Sequence, residues 1–154
     1  MKIVIARGEL LRIEEEGRGA FPNECCGLLL GKWGQSGERQ VDEIHPVVNA
    51  RMDSPQNRYL IPPEEVLQIT KQAERRGLEV IGFYHSHPNV APRPSAFDRE
   101  HAWPGYGYLI VRVQAGKPQE TLGWYLGDDR EEFLEAEVAV VESAPSSSSD
   151  LQGA

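Results

Sequence analysis

Residues 78–88, LEVIGFYHSHP, run nearly without polar interruption from Leu78 to Tyr84 and then set two histidines one residue apart before a proline. A run of that kind reads as a central strand covered on both faces. Extended backbone sends side chains i and i+2 to the same face, so a strand that continues through Tyr84–His87 makes His85 and His87 point together.

The flanks support this reading. Upstream, Pro62 and Pro63 open a segment in which Val66, Leu67, Ile69 and Ala73 follow helical spacing, and Gly77 closes it. Farther upstream, GELLRIEEEG (8–17) suits a short amphipathic helix ended by Gly17, CCGLLLG (25–31) a buried strand, and QVDEIHPVVN (40–49) a strand that Pro46 assigns to an edge or bulge. Downstream, SAFDREHAW (95–103) reads as a short helix stopped by Pro104. YGYLIVRVQ (106–114) and ETLGWYLG (120–127) read as strands joined by an AGKP hairpin, while EEFLEAEVAVVE (131–142) fits strand or helix. Strands with a few interspersed helices give an α+β, three-layer arrangement around a mixed sheet. The expected domain spans 1–142. The serine-rich 143–154 segment has no apolar pattern and is expected to be a disordered tail.

At 154 residues, 40% hydrophobic and 26% charged, the chain suits one globular domain. A net charge of −8 disfavours nucleic acid and anionic membranes as partners. MKIVIA meets Arg7 and Glu9 far short of a signal segment or membrane span, so no export or anchoring is expected. Adjacent Cys25 and Cys26 are poorly placed for a structural disulfide, which fits a reducing cytoplasm. The apolar run after them predicts packed thiols, not an activated nucleophile.

Two converging neutral imidazoles are good zinc ligands, and Asp98 is the candidate third, returned by a loop stiffened at Pro88, Pro92 and Pro94. Such a site leaves one coordination position open for hydrolysis. Glu24, just ahead of a buried strand, is the candidate general base, and Ser95 a hydroxyl for the developing oxyanion. Each residue alone has a plainer reading: Ser95 and Asp98 as a helix-capping pair, Glu24 as a solvated loop acid, His45 and His101 as exposed or structural histidines, with His101 one turn beyond Asp98. The combination is harder to dismiss. H-x-H, seven residues, S, two residues, D arises by chance in on the order of one in a few thousand chains this long.

At these residues the sequence resembles the JAMM, or MPN-plus, metallopeptidases, whose signature is an upstream glutamate, HSHP, then serine and aspartate at this spacing. His85, Ser86, His87, Pro88, Ser95 and Asp98 match in register, and PNECCGLLLG (22–31) resembles the segment that carries the family's catalytic glutamate, here Glu24. The likeness runs from about Gly8 to Leu126. It implies a mixed, curved sheet flanked by helices, akin to cytidine deaminases. It also implies one zinc held by His85, His87 and Asp98, with Glu24 and Ser95 catalytic. The connections at 49–63 and 104–118 are short, which resembles minimal prokaryotic members acting on ubiquitin-like sulfur-carrier proteins. The implied partner is therefore a carrier ending in Gly-Gly, whose tail adds beside a sheet edge. The alternatives are a noncatalytic tail-binding module with structural zinc, or a zinc amidase acting on small or cell-wall peptides. Oligomeric state stays open, a homodimer included.

Overall fold

The computed structural model describes residues 1–50, 59, 61–129 and 131–142. In chain order the elements are β1 (Lys2–Ala6), α1 (Arg7–Ala20), β2 (Cys26–Trp33), β3 (Arg39–Val47), α2 (Pro63–Arg75), β4 (Glu79–Pro88), α3 (Ala96–His101), β5 (Gly107–Gln114), β6 (Lys117–Leu126) and β7 (Phe133–Val141). The strands form one mixed sheet in the order β1-β3-β2-β4-β5-β6-β7, which curls until β7 meets β1 and closes a barrel. The expected mixed, curved sheet with flanking helices is present, and closure is the added feature.

The apolar run at Leu78 becomes β4, which β2 pairs antiparallel and β5 pairs parallel. Ile81 and Tyr84 face an inner core with Ile3, Ile5, Leu29, Leu109 and Val111. Val80 and Phe83 face outward to α2, whose Ile69 and Ala73 cover Leu28 and Leu30 of β2. Each such aliphatic side chain withdrawn from water contributes about 1.5–3 kcal/mol. Both faces of β4 are therefore apolar, which explains its unbroken pattern.

Helix α1 packs against β1, β3, β4, β5, β6 and β7, on the inner-core side of the curved sheet. It runs to Ala20 and does not stop at Gly17. Gly17 serves close packing instead: a Cβ there would lie 2.9 Å from Val113 Cγ2. Tyr84 spans the inner core and its hydroxyl donates to Glu16 Oε1 at 2.7 Å.

MKIVIA gives no strand expectation, yet it forms β1, parallel to both β3 and β7. Five residues are too few for their periodicity to stand out, and the partners are distant in sequence. The 131–142 ambiguity resolves as strand β7 because β6 and β1 offer it hydrogen-bonding edges. Pro46 lies in β3 beyond Arg39–Val41, the stretch that β1 reaches, so its missing N–H is tolerated as expected. The hairpin after β5 turns at Ala115 and Gly116, both with positive φ. The 143–154 tail and most of the 49–63 connection lie outside the described residues.

Gly82 in β4 sits where any Cβ would overlap the Gly107 carbonyl oxygen of β5. Gly82→Ala is expected to destabilise the fold by about 2 kcal/mol or more, whereas Gly8→Ala, with nothing within 4 Å of the new methyl, leaves stability equal or slightly higher. Thermal unfolding of the two variants checks this, and equal melting temperatures would contradict the packing at Gly82.

Candidate metal centre

On β4, Tyr84 points into the inner core, so the alternate residues Phe83, His85 and His87 share the outer face with α2. The strand ends at Pro88, and the loop beyond it is tied down. Asn89 N–H donates to the Val113 carbonyl at 2.8 Å, Ala115 N–H donates to Asn89 Oδ1 at 2.7 Å, and Trp124 Nε1–H donates to the Pro92 carbonyl at 2.9 Å. His87 Nδ1 lies 2.8 Å from the Ala91 carbonyl. A carbonyl only accepts, so the ring proton sits on Nδ1 and Nε2 keeps its lone pair.

Helix α3 then brings Asp98 back. Ser95 Oγ accepts from Asp98 N–H at 3.0 Å, and Asp98 Oδ2 accepts from Ser95 N–H at 2.8 Å, a complete capping box. The same Oδ2 lies 3.4 Å from His85 Nε2 and 3.3 Å from His87 Nε2. Capping and convergence on the histidines are thus one arrangement, since the cap orients the carboxylate. Because Ser95 Oγ accepts within the cap, its own proton stays available for donation.

The third side of the triangle, His85 Nε2 to His87 Nε2, measures 3.2 Å. Tetrahedral coordination at about 2.0 Å requires ligand atoms roughly 3.3 Å apart, so the donor set fits zinc in both type and spacing. Burial opposes the charge on Asp98, but the two imidazoles and the Ser95 N–H outweigh it and hold the carboxyl well below the usual carboxylate range. Burial lowers the His85 pKa against the pull of Asp98, which favours the neutral, ligating form. Among the described residues, His85, His87 and Asp98 are the one group of this kind; His45 and His101 do not join it. His101 turns its Nδ1 to the Phe97 carbonyl at 2.9 Å and stacks on the Phe97 ring.

Glu24 is brought to the same face by the register of β2 on β4. Cys26 lies opposite His85, Ser86 N–H donates to the Cys25 carbonyl at 3.2 Å, and Cys25 N–H donates to Ser86 Oγ at 2.8 Å. Carried one residue further, this pairing sets Glu24 opposite His87. The Glu24 side chain is 4% exposed and its Oε1 has no hydrogen-bond partner. Burial first, and the Asp98 charge second, push its pKa up to about 9. A buried, unpartnered carboxyl beside three converging donor atoms is costly unless a cation or reactant completes the site. Both cysteines are buried; desolvation pushes the Cys25 thiol up to about 12, which excludes an activated thiolate.

Two neighbours of the site were not legible beforehand. Tyr59 stacks on the His85 ring, 4.5 Å between centroids and 26° between planes, and Ser86 ties β4 to the residue after Glu24. Tyr59 lies in a connection without periodicity, and Ser86 matches only as part of the HSHP pattern.

A closed, curved sheet with one helix packed against its inner core, and a His-x-His…Asp cluster at the end of its central strand, is the arrangement of a JAMM-type hydrolase. The model for prokaryotic homologs of the JAB domain matches residues 7–126, and the chain belongs to that family. It is 42% identical over 137 residues to the desampylase of Haloferax volcanii, covering 88% of this chain and 91% of that one. It is 36% identical over 90 residues to a Thermus thermophilus protein named "Probable TtuB-protein conjugate cleaving protease", covering 58% and 59% of the two chains. A solution structure from Desulfitobacterium hafniense superposes with a TM-score of 0.80 at 30% identity, over 93% of this chain and 95% of the other. Among the described residues no helix is long and apolar enough to cross a membrane.

Between its ordinary value of 4.5 and about 9, the Glu24 carboxyl is protonated in metal-stripped folded protein and ionised in the unfolded chain. The folded state therefore holds the extra proton, and stability falls as pH rises through that window. Glu24→Gln removes this dependence, so at pH about 7 the stripped variant is expected to exceed wild type by about 3 kcal/mol. Urea unfolding of both proteins at pH about 5 and about 7 checks the difference, and parallel pH trends would contradict it.

Proposed function

We propose that the protein is a zinc-dependent isopeptidase that hydrolyses the amide bond after the C-terminal Gly-Gly of a ubiquitin-like protein of the sulfur-carrier kind. The observation that carries the reading is the 3.2–3.4 Å triangle of His85, His87 and Asp98 atoms with a buried, unpartnered Glu24 on the same face. The substrate class is supported by relatives named desampylase and TtuB-conjugate cleaving protease. A cytoplasmic setting agrees with the free cysteines.

His85, His87 and Asp98 hold the metal. When bound, zinc supplies a Lewis acid that acidifies water and polarises a carbonyl oxygen. Glu24 takes a proton from the attacking water as its oxygen bonds to the carbonyl carbon. The raised proton affinity of its buried site suits it to take and hold that proton, which then passes to the leaving nitrogen as the C–N bond breaks. The Ser95 hydroxyl donates to the carbonyl oxygen as negative charge develops there. Glycine on the acyl side lets backbone reach these groups without a side chain in the way.

Purified protein is expected to carry about one zinc per chain and to lose cleavage of a Gly-Gly-linked conjugate on chelation. Glu24→Gln should lower kcat on the order of 10³-fold while retaining zinc, whereas His87→Ala should lose both. Elemental analysis beside a conjugate-cleavage assay decides the matter. Undiminished cleavage by the Glu24 variant would remove Glu24 from the chemistry, and a zinc-loaded wild type that binds the conjugate without cutting it would make the protein a binding module.

A further inference from the structure

Two cavities of about 460 and 380 Å³ share Val66, Phe83 and Trp103 as walls and together form one groove along the outer face of β4. Its near end is lined by Asp98 and is strongly apolar, with Ile61, Phe97 and Trp103. Its far end is lined by Glu74 and Glu79 and, among the described residues, by no basic side chain. One wall is a single face of α2, where Val66, Thr70 and Glu74 follow one another at four-residue steps. Glu79 is steadied by Trp33, whose Nε1–H donates to its Oε1 at 3.0 Å. Arg39, which stacks on the Trp33 ring at 4.0 Å, is engaged by the Gly105 carbonyl at 2.9 Å.

Resting on the isopeptidase reading, we infer that this groove reads the substrate's tail at two side-chain positions: an apolar residue next to the Gly-Gly, and a lysine or arginine about five residues before the cleaved bond. The occupant follows from length. Glu79 precedes His85 by six residues on β4, roughly 20 Å of strand at about 3.3 Å per residue. The leaving side of an isopeptide presents one lysine side chain, too short to fill it, whereas an extended tail spans it with about six residues. The groove starts at Asp98, so the tail's last residues lie at the donor triad and its earlier ones at Glu74 and Glu79. β4 is paired by β2 on one side and β5 on the other. The tail therefore lies across its outer face and does not add to β4 as a strand. Selection then comes from side chains, and the acids at the far end favour a cation there.

The test uses zinc-loaded Glu24→Gln protein and fluorescein-labelled heptapeptides ending in Gly-Gly, with arginine or glutamate at the fifth residue from the end, read by anisotropy. The arginine peptide is expected to bind roughly tenfold more tightly. Adding Glu74→Lys and Glu79→Lys reverses the order. Adding Glu15→Lys and Glu137→Lys instead, the same change in total charge away from the groove, does not. Trp103→Ala, with zinc content retained, erases the advantage of leucine over alanine at the third residue from the end. Equal binding of the two peptides, or reversal by the control pair as well, overturns the inference. Failure of wild-type enzyme to cleave a matched Gly-Gly anilide, with these preferences intact, sinks the isopeptidase reading and leaves the groove assignment standing.

Discussion

The pairing of β2 with β4 is the constraint on which the rest depends. Ser86 sits between the two histidines with its side chain on the opposite face; its hydroxyl accepts from the Cys25 N–H and its own N–H donates to the Cys25 carbonyl. Those bonds fix which residue of the incoming chain lies across from the end of β4. A slip of one residue would turn Glu24 into the inner core and bring Cys25 to the histidines. Ser86 is fully buried and Cys25 nearly so, which shields these bonds from exchange with water.

The site is therefore built from rigid parts contributed by three distant stretches of chain. β4 supplies two donors, the capping box of α3 aims the third, and the start of β2 supplies the acid. The loop between β4 and α3 is held by bonds to β5, to β6 and to the hairpin turn between them, so the return of Asp98 is not left to loop flexibility. The electrostatics agree with the geometry. In the metal-free site Asp98 is held ionised by its neighbours while Glu24, also buried but with its Oε1 unpartnered, is held protonated; a bound cation beside it favours the ionised form that can accept a proton. Two carboxyls a short way apart are pushed in opposite directions, which suits one to ligation and the other to carrying a proton.

Much of this was legible in the sequence because it rests on local rules. The i, i+2 phasing of His85 and His87, the Ser95–Asp98 cap and the apolar run of β4 are all short-range patterns. Glu24 is a candidate from its place just ahead of a buried strand, and the resemblance strengthens it, because nothing local tells a buried acid from a solvated one. What escaped is tertiary. Gly17 reads as a helix stop until Val113 is seen against it, β1 is too short to show its period, and the stacking of Tyr59 on His85 has no signal in its surroundings.

Closure of the barrel by β1 also sets the order in which the molecule can be completed. Ile3 and Ile5 take hydrogen-bonding partners from β7, whose residues are made more than a hundred positions later. A nascent chain must carry this short apolar segment unpaired on one side until Phe133–Val141 leaves the ribosome, so the final seam forms after synthesis of nearly the whole domain.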